Sequence, residues 1–332
     1  MKIFRNIPAA VKLYSALKQF NPYKAAIEDA KKKGDYERER ENIQAAESIW
    51  SKHVMDMFGA QLVVHGKENI PSKGPVVFIG NHQGYADIIA YFAALSPSLA
   101  YGYVAKDDLG KIPFYGPWIV RIRSVLIKRN DPRASMRAID EGIELIKKGF
   151  SLMIFPEGTR SKGPEPGSFK RGAFKLATKP GVPIIPVSLN GSYKMYEETG
   201  IMKGARIDVK IHPPVETKGL SRQEEKQLCL DVEKTVKDGI RELQEECGCT
   251  ADRFEKLAQL YPTPAYCTEV IHIYRASGLH ESVQKLDDGE FLDVLRIPFA
   301  QAVQMVMNGE ISDAKTQIGI LKLHLLRQAE GK

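Results

Sequence analysis

The sequence has few of the features that mark secreted or membrane-spanning proteins. Only four of its 332 residues are cysteines, all in the last third of the chain, so we expect reduced thiols rather than a disulfide framework. No apolar run approaches the ~20 residues that a helix needs to cross a bilayer. The N-terminus lacks the continuous apolar core and small-residue cleavage site of a signal peptide. We therefore expect neither a transmembrane helix nor a signal peptide.

Acidic residues are absent from residues 1–20, where four residues are basic: Lys2, Arg5, Lys12 and Lys18. Apolar residues recur there every three or four positions and predict an amphipathic helix, with its stripe formed by Phe4, Ile7, Val11, Tyr14 and Leu17. One interpretation is a helix in the membrane interface, where four basic residues supply roughly 4 kcal/mol at about 1 kcal/mol each. The other is a helix packed on its own domain.

The whole chain carries a net charge of +7. A basic protein suits phosphate-bearing partners, which include nucleic acid, a membrane surface and small anionic substrates. Composition alone leaves all three open.

The periodicity of the chain changes after Gly59. Before it, residues 29–42 form a charge-dense run that we interpret as a solvated helix face or loop, and residues 43–57 predict a helix that covers a sheet. After it, strand-like runs alternate with helical segments such as 88–95, 134–148 and 174–179. The predicted strands are 61–64, 75–79, 100–105, 124–127, 152–155, 183–189 and 206–211. This alternation predicts an α/β fold, a mostly parallel sheet covered by helices.

The most informative stretch is residues 81–87 (N-H-Q-G-Y-A-D), between the buried strand 75–79 and the helix 88–95. Catalytic groups concentrate at such strand ends in α/β folds. His82, held by Asp87 five positions on, can take a proton from a hydroxyl while the carboxylate orients and stabilises the imidazolium. Alone, this spacing is also compatible with a histidine that caps the helix.

A second block, residues 155–161 (F-P-E-G-T-R-S), follows the buried strand 152–155. Together the two blocks resemble the glycerolipid acyltransferases, most closely the bacterial 1-acylglycerol-3-phosphate acyltransferases. The resemblance covers residues 60–240. It implies that His82 is the base and Asp87 its partner, that Glu157 on the turn made by Gly158 bonds the acceptor, and that Arg160 holds a phosphate.

The resemblance also suggests further substrate-binding residues. Residues 123–129 resemble the second family block, whose last arginine, Arg129, contacts phosphate, with Arg123 and Lys128 as helpers. Lys106, after its strand, lies where the family keeps a substrate-side lysine, or is a solvated strand-end residue. Pro186 belongs to the fourth block, which lies beside the acyl chain in the family and is equally suited to core.

Three positions depart from the family pattern. Many members have Ser at Gly84, the second block usually begins with Gly rather than Arg123, and its usual Phe is Leu126. The change at Gly84 removes a side-chain contact beside the proposed base.

The resemblance implies transfer of a fatty acyl group to the 2-hydroxyl of 1-acylglycerol 3-phosphate (lysophosphatidate), giving phosphatidate. The donor would be acyl-CoA or an acyl carrier protein thioester, with no metal, cofactor or nucleic acid. The hydrophobic substrate favours the membrane interpretation of residues 1–20, and hence a peripheral protein at the cytoplasmic face of the membrane. Alternatives are acylation of glycerol 3-phosphate or another lysolipid, and a non-catalytic lipid-surface protein.

The end of the chain resembles a second family. Residues 241–249 (R-E-L-Q-E-E-C-G-C) match the second half of the Nudix signature, and later stretches resemble the C-terminal half of an ADP-ribose pyrophosphatase. Glu242, Glu245 and Glu246 fall on one helical face, where carboxylates can hold Mg²⁺. The preceding Nudix strands are missing. We therefore predict a truncated, inactive module, with ADP-ribose pyrophosphatase activity, which would need Mg²⁺, as the alternative.

These observations divide the chain into three predicted parts. Residues 1–58 form N-terminal helices with membrane-interface contact, residues 59–240 the acyltransferase domain, and residues 241–332 a partial Nudix-like α+β tail that begins in a shared helix. A capping-box pair, Ser221 and Glu224, marks the start of that helix.

Overall fold

A computed structural model shows two compact units, Met1–Leu243 and Gln244–Lys332. The structure describes residues 2–18, 21–128, 131–244, 249–260, 271–281 and 295–329. Within these ranges, no helix has both the length and the apolar character needed to cross a bilayer.

The described part of the first unit is organised around a seven-stranded sheet with the strand order β1-β7-β6-β2-β5-β3-β4. Strands β6, β2, β5, β3 and β4 run parallel, β7 runs antiparallel to β6, and β1 runs parallel to β7. The strands are β1 (Gln61–His65), β2 (Val77–Gly80), β3 (Tyr101–Lys106), β4 (Val125–Ile127), β5 (Ser151–Ile154), β6 (Ile184–Asn190) and β7 (Arg206–Ile211). The predicted mostly parallel sheet is confirmed.

Helices cover both faces of this sheet. They are α1 (Lys2–Lys18), α2 (Asn21–Lys33), α3 (Tyr36–Phe58), α4 (Asp87–Leu95), α5 (Tyr115–Arg121), α6 (Pro132–Lys147), α7 (Lys175–Thr178) and α8 (Arg222–Gln244). Successive residues of β2 point to opposite faces, as a strand period of two requires. Phe78 packs with residues of α3 and α4, whereas Val77 and Ile79 pack with residues of α6 and α8. The sheet therefore lies between two apolar cores. Packing on both faces fixes the positions of the strand ends, where the site lies.

Local signals explain where several helices begin. The Asp131 carboxylate accepts a hydrogen bond from the Ala134 amide at 3.0 Å, and Pro132 occupies the first turn of α6. The Ser221 amide donates to the Glu224 carboxylate at 2.7 Å, and the Glu224 amide donates to the Ser221 hydroxyl at 3.3 Å. This reciprocal pair confirms the capping box at the start of α8.

The interpretation of residues 29–42 as wholly solvated is wrong at Glu39. This α3 side chain is fully buried and accepts two hydrogen bonds from Arg123, at 2.7 Å from Nε and 2.9 Å from Nη2. Arg123 has a φ of 59°, in the left-handed region where glycine is favoured. Glu39 bonds Nε and Nη2 of Arg123, and the role of Arg123 as a phosphate helper stays a prediction. A buried bidentate pair replaces the family glycine.

The second unit contains an antiparallel pair, β8 (Cys249–Leu260) and β9 (Ile271–Glu281), and two helices, α9 (Phe299–Met307) and α10 (Ala314–Ala329). The Arg327 guanidinium lies over the Phe299 ring at 4.3 Å, between α10 and α9. The predicted acidic face falls outside the described residues at Glu245 and Glu246. Glu242 belongs to α8, but its side chain is not among those described. The Nudix-like assignment therefore stays a prediction.

Candidate active site

The candidate site lies at the carboxyl ends of β2 and β5. These strands pair in parallel, with Ile79 opposite Ile154, so the residues that follow them emerge at the same edge. His82 follows β2 and Glu157 follows β5. The two loops are joined directly, because the Ser161 amide donates to the His82 carbonyl at 2.8 Å. The two sequence blocks therefore form one site, as the order of the strands requires.

His82 and Asp87 form a hydrogen-bonded pair. The distance from His82 Nδ1 to Asp87 Oδ2 is 2.6 Å, and Asp87 is fully buried at the start of α4. The Gly84 amide donates to both Asp87 oxygens at 3.0 Å, and the Ser192 hydroxyl donates to Oδ1. Because Asp87 acts as an acceptor to these donors, Nδ1–H of His82 donates to it as well. The lone pair of Nε2 is left to accept a proton from a substrate.

The His82 ring is held by an aromatic neighbour. Phe155 stacks on it with ring centroids 4.3 Å apart and an interplanar angle of 11°. The Phe155 ring in turn stacks with Tyr103 at 5.8 Å. The carboxylate on one side and the aromatic face on the other restrict rotation of the imidazole, so the orientation of the His82 ring is preorganised.

Glu157 bonds the main chain at two points of the site. Its Oε1 accepts the His82 amide at 2.6 Å and its Oε2 accepts the Gly167 amide at 2.7 Å, and the residue is 5% exposed. Burial raises the pKa of the Glu157 carboxyl, against the lowering effect of these two amides. Each oxygen bonds one backbone amide and retains a second lone pair, so the expectation that Glu157 bonds the acceptor hydroxyl stays a prediction. Gly158 makes the predicted turn, with a φ of 71°.

Arg160 reaches the same edge of the sheet. Its Nη1 lies 2.7 Å from Glu197 Oε1, and its guanidinium lies 3.6 Å from the centre of the Tyr85 ring. The Tyr85 amide donates to Glu197 Oε1 at 2.9 Å. The side chain of Arg160 is 23% exposed, so part of its planar fork faces solvent. An anion can approach that part from outside.

The other predicted substrate-binding residues are more scattered. Lys106 ends β3, on the same side of the sheet as the site, and its Nζ lies 2.5 Å from Asp108 Oδ2 in an exposed pair. Pro186 lies buried inside β6, opposite Ile79, rather than at the strand end beside His82. Arg129 lies outside the described residues. The structure therefore brings together His82, Asp87, Glu157 and Arg160.

Sequence reasoning missed two side chains of the site, Ser192 and Glu197. Ser192 follows β6 and lies 105 positions from the Asp87 that it contacts, and Glu197 lies 37 positions from Arg160. Ser192 could have been found as the polar residue after a buried strand, at the edge where His82 also emerges. Glu197 carries no comparable signal.

An apolar cleft with a volume of about 80 Å³ lies behind the aromatic rings. It is bounded by α1, α3, α4, α5 and β3, and it shares Tyr103 with the stack that supports His82. Glu47 also lines it, and burial raises the pKa of this carboxyl well above its usual range. Within the described ranges, no three His, Cys, Asp or Glu side chains converge as a metal site.

Comparison with known proteins places this geometry in a family. Residues 61–190 match the family model described as Acyltransferase. The crystal structure of the 1-acyl-sn-glycerophosphate (LPA) acyltransferase from Thermotoga maritima superposes with a TM-score of 0.60. It is 30% identical, and the match covers 73% of this chain and 98% of that one.

The chain belongs to the acyltransferase family. This acyltransferase is also 30% identical to the 1-acyl-sn-glycerol-3-phosphate acyltransferase of Borreliella burgdorferi, over 54% of its own length and 70% of the relative. It is 39% identical to the chloroplastic 1-acyl-sn-glycerol-3-phosphate acyltransferase of Brassica napus, over 46% of its own length. The acyltransferase spans 44% of that plant relative and 43% of its Arabidopsis thaliana counterpart.

Proposed function

We propose that this protein transfers a fatty acyl group from a thioester to the 2-hydroxyl of 1-acyl-sn-glycerol 3-phosphate, giving phosphatidate. The observation that carries the proposal is the oriented His82–Asp87 pair, beside a partly exposed Arg160 and an apolar cleft. The relatives named above carry the same activity in their names. Glycerol 3-phosphate lacks the acyl chain that lysophosphatidate carries, and no described feature favours this smaller acceptor.

The chemistry follows from the free Nε2 of His82. This nitrogen removes the proton of the 2-hydroxyl as the oxygen attacks the thioester carbonyl, and Asp87 stabilises the imidazolium. The tetrahedral intermediate then collapses with cleavage of the carbon–sulfur bond. The imidazolium returns the proton to the departing thiolate, so the products are an ester and a free thiol. His82 is thereby regenerated.

Arg160 is the described cation best placed to hold the acceptor phosphate. A guanidinium has five N–H donors in a rigid fork, and Glu197 uses only Nη1 in the structure. The remaining donors suit two phosphate oxygens. Lys106, at the end of β3, is a second cation at this edge of the sheet, and Arg129 is a further candidate by family resemblance.

The apolar cleft suits a fatty acyl chain. Its lining is almost entirely carbon and includes Phe92, Trp118, Ile119 and Ile122. Burying a methylene group there is favourable by about 0.8 kcal/mol. Because Tyr103 joins the cleft to the rings that support His82, a chain in the cleft can present its carboxyl end to the site.

Exposed apolar side chains near the cleft support a membrane-surface location. Tyr14 of α1 and Phe114, just before α5, contact each other with ring centroids 4.8 Å apart and are 40% and 60% exposed. Val11 and Val120 are 59% and 49% exposed on the same two helices. Leu17, at the other end of the α1 stripe, lines the cleft instead. Helix α1 therefore packs on its own unit and also presents apolar residues outward, which combines the two interpretations of residues 1–20.

The direct test is an acyl-transfer assay on the full chain and on His82→Gln. The assay uses long-chain acyl-CoA and acyl carrier protein thioesters as donors, and lysophosphatidate and glycerol 3-phosphate as acceptors. We expect phosphatidate from the wild type and a loss of about 100- to 10,000-fold in kcat for the variant. His65→Gln is the matched control, because His65 lies on the edge strand β1, three strands from β2. Equal transfer by His82→Gln and the wild type would remove His82 as the base. Absence of transfer by the wild type would instead support a non-catalytic lipid-surface protein.

We infer that the second unit is a partial Nudix-like module without pyrophosphatase activity. The residues before the acidic run belong to α8, whose Leu228, Val232, Val236 and Ile240 pack in the core of the first unit. The described part of the second unit has a single antiparallel strand pair. We expect the full chain to release no AMP from ADP-ribose in the presence of Mg²⁺. Release that is lost in Glu245→Gln would contradict this inference.

A further inference from the structure

Glu197 is a buried carboxylate in the candidate site that the proposed reaction does not use. Its side chain is 4% exposed, and its Oε1 is shared by Arg160 and the Tyr85 amide. Its Oε2 is buried, and among the described residues no donor reaches it. An unsatisfied buried acceptor on a charged group is costly, and such atoms usually have a partner. The free oxygen therefore points to a donor supplied by a ligand.

The position of this oxygen is set by Gly84. A Cβ added at Gly84 would collide with Glu197 Oε2 and lie 2.8 Å from its Cδ. The Gly84 amide donates to Asp87. Gly84 therefore lies between Glu197 Oε2 and the His82–Asp87 pair. Glycine at this position allows the carboxylate to approach the site.

Glu197 also changes the charge that a substrate meets. Its carboxylate compensates the single positive charge of Arg160 at 2.7 Å, and Asp87 and Glu157 are further acidic groups nearby. A phosphate monoester carries about −1.5 to −2 charges at pH 7, whereas a phosphodiester carries one. Like charges at short range disfavour the dianion, so a compensated guanidinium suits a monoanion better.

We propose that Glu197 determines which acyl acceptor this enzyme uses. Resting on the acyltransferase function proposed above, the inference is that the acceptor site takes, besides lysophosphatidate, lysophosphodiesters whose headgroup carries a hydrogen-bond donor. The phosphodiester binds the exposed side of Arg160, and an ammonium or hydroxyl of the headgroup donates to Glu197 Oε2. Lysophosphatidylethanolamine and lysophosphatidylglycerol have this chemistry. Lysophosphatidylcholine has a phosphodiester and a cation but no such donor.

The test compares acyl transfer to four acceptors by the full chain: lysophosphatidate and the three lysophosphodiesters named above. We expect the two donor-bearing acceptors to exceed lysophosphatidylcholine in kcat/KM by about tenfold or more, the equivalent of one hydrogen bond to a charged group. In Glu197→Gln this advantage falls, and the KM for lysophosphatidate falls as well because a like charge is removed. Glu198→Gln is the matched control, since Glu198 is 45% exposed and pairs with Lys203 at 2.9 Å.

Two results separate this inference from the proposed function. Transfer to lysophosphatidate alone, or an acceptor profile that Glu197→Gln leaves unchanged, overturns the role of Glu197 and leaves acyl transfer standing. No transfer to any acceptor overturns both. If Glu197→Gln does not fold, Glu197→Asp is the second variant. Aspartate keeps the negative charge, but its side chain is one methylene shorter, so the carboxylate oxygen no longer reaches the headgroup. The headgroup advantage should then fall while the KM for lysophosphatidate stays within about twofold, because the charge is retained.

Discussion

At the scale of single residues, the orientation of His82 depends on groups that hold Asp87. The Asp87 carboxylate accepts two bonds from the Gly84 amide and one from the Ser192 hydroxyl, besides that of His82. The hydroxyl and the imidazole approach different oxygens of one buried carboxylate. Ser192 is therefore a positioning residue for the base, although it touches no reacting atom.

Ser192→Ala should lower kcat and leave KM for lysophosphatidate nearly unchanged. The loss of one hydrogen bond to a charged group corresponds to about tenfold. Steady-state kinetics measures kcat and KM. Ser98→Ala, at an exposed position, is the control. A kcat equal to that of the wild type would show that Ser192 does not act through Asp87.

At the scale of elements, a buried ion pair ties α3 to the chain that enters β4. Glu39 is fully buried and Arg123 is 16% exposed on its side chain, and the guanidinium also lies over the Phe150 ring at 5.0 Å. Removing both charges from water costs free energy, and only their mutual attraction in the ion pair offsets that cost. The pair therefore fixes the position of α3 on the sheet more than it adds net stability.

Glu39→Ala should destabilise the first unit by about 3–5 kcal/mol, because it leaves Arg123 buried without its partner. The double variant Glu39→Leu/Arg123→Met should recover most of this loss. Urea unfolding followed by tryptophan fluorescence reports on this unit alone, since Trp50 and Trp118 are the only two tryptophans. Asp29→Ala, which breaks an exposed pair with Lys33, is the control and should change little. A double variant less stable than Glu39→Ala would contradict the account.

The cleft between the helices and β3 gives a prediction about the acyl chain. Ala105 lines the cleft near the strand end. Ala105→Phe fills space that a long chain needs, because cores and apolar clefts are packed too tightly to absorb an added ring. We expect kcat/KM for a C16 donor to fall by about tenfold relative to a C8 donor, the equivalent of two lost methylenes. Ala134→Phe in α6, on the other side of the sheet, is the control. Equal loss for both donors would place the chain elsewhere.

At the scale of the whole molecule, stability should depend on pH through a histidine far from the site. His212, just after β7, is 7% exposed, and its Nε2 lies 2.8 Å from the Ser188 hydroxyl. Burial, with a smaller contribution from Lys210, lowers the pKa of His212 to about 4 from 6.5. The folded state therefore binds fewer protons than the unfolded state between these values, and stability is lost as the pH falls from 6.5 towards 4.

This loss should amount to about 3 kcal/mol at the scale of about 1.4 kcal/mol per pKa unit. The measurement is the free energy of unfolding from urea titrations at pH 7.5, 6 and 4.5. In His212→Gln the dependence between pH 6.5 and 4 should be weaker, although the variant is less stable at pH 7.5 if the glutamine packs poorly. An identical slope in the variant and the wild type would assign the acid sensitivity to other groups.

The alternation of strands and helices, the turn after each buried strand and the helix caps could all be predicted from the sequence. Each depends on residues within a few positions of one another, where hydrophobic period and capping chemistry are encoded. The His82–Asp87 pair was predictable for the same reason, as five positions bridge a strand end and a helix start. Glu157 was predictable as a site residue, but its two backbone-amide partners were not, because they come from two separate loops.

The sequence by itself determined the elements, the family resemblance and the His82–Asp87 pair. Only the tertiary structure decided that Ser192 bonds Asp87, that Glu197 contacts Arg160 and Gly84, and that Glu39 forms an ion pair with Arg123. These contacts join residues 37 to 113 positions apart. Sheet order brings such residues together, and sheet order is set by how two apolar faces are buried at once rather than by any local pattern.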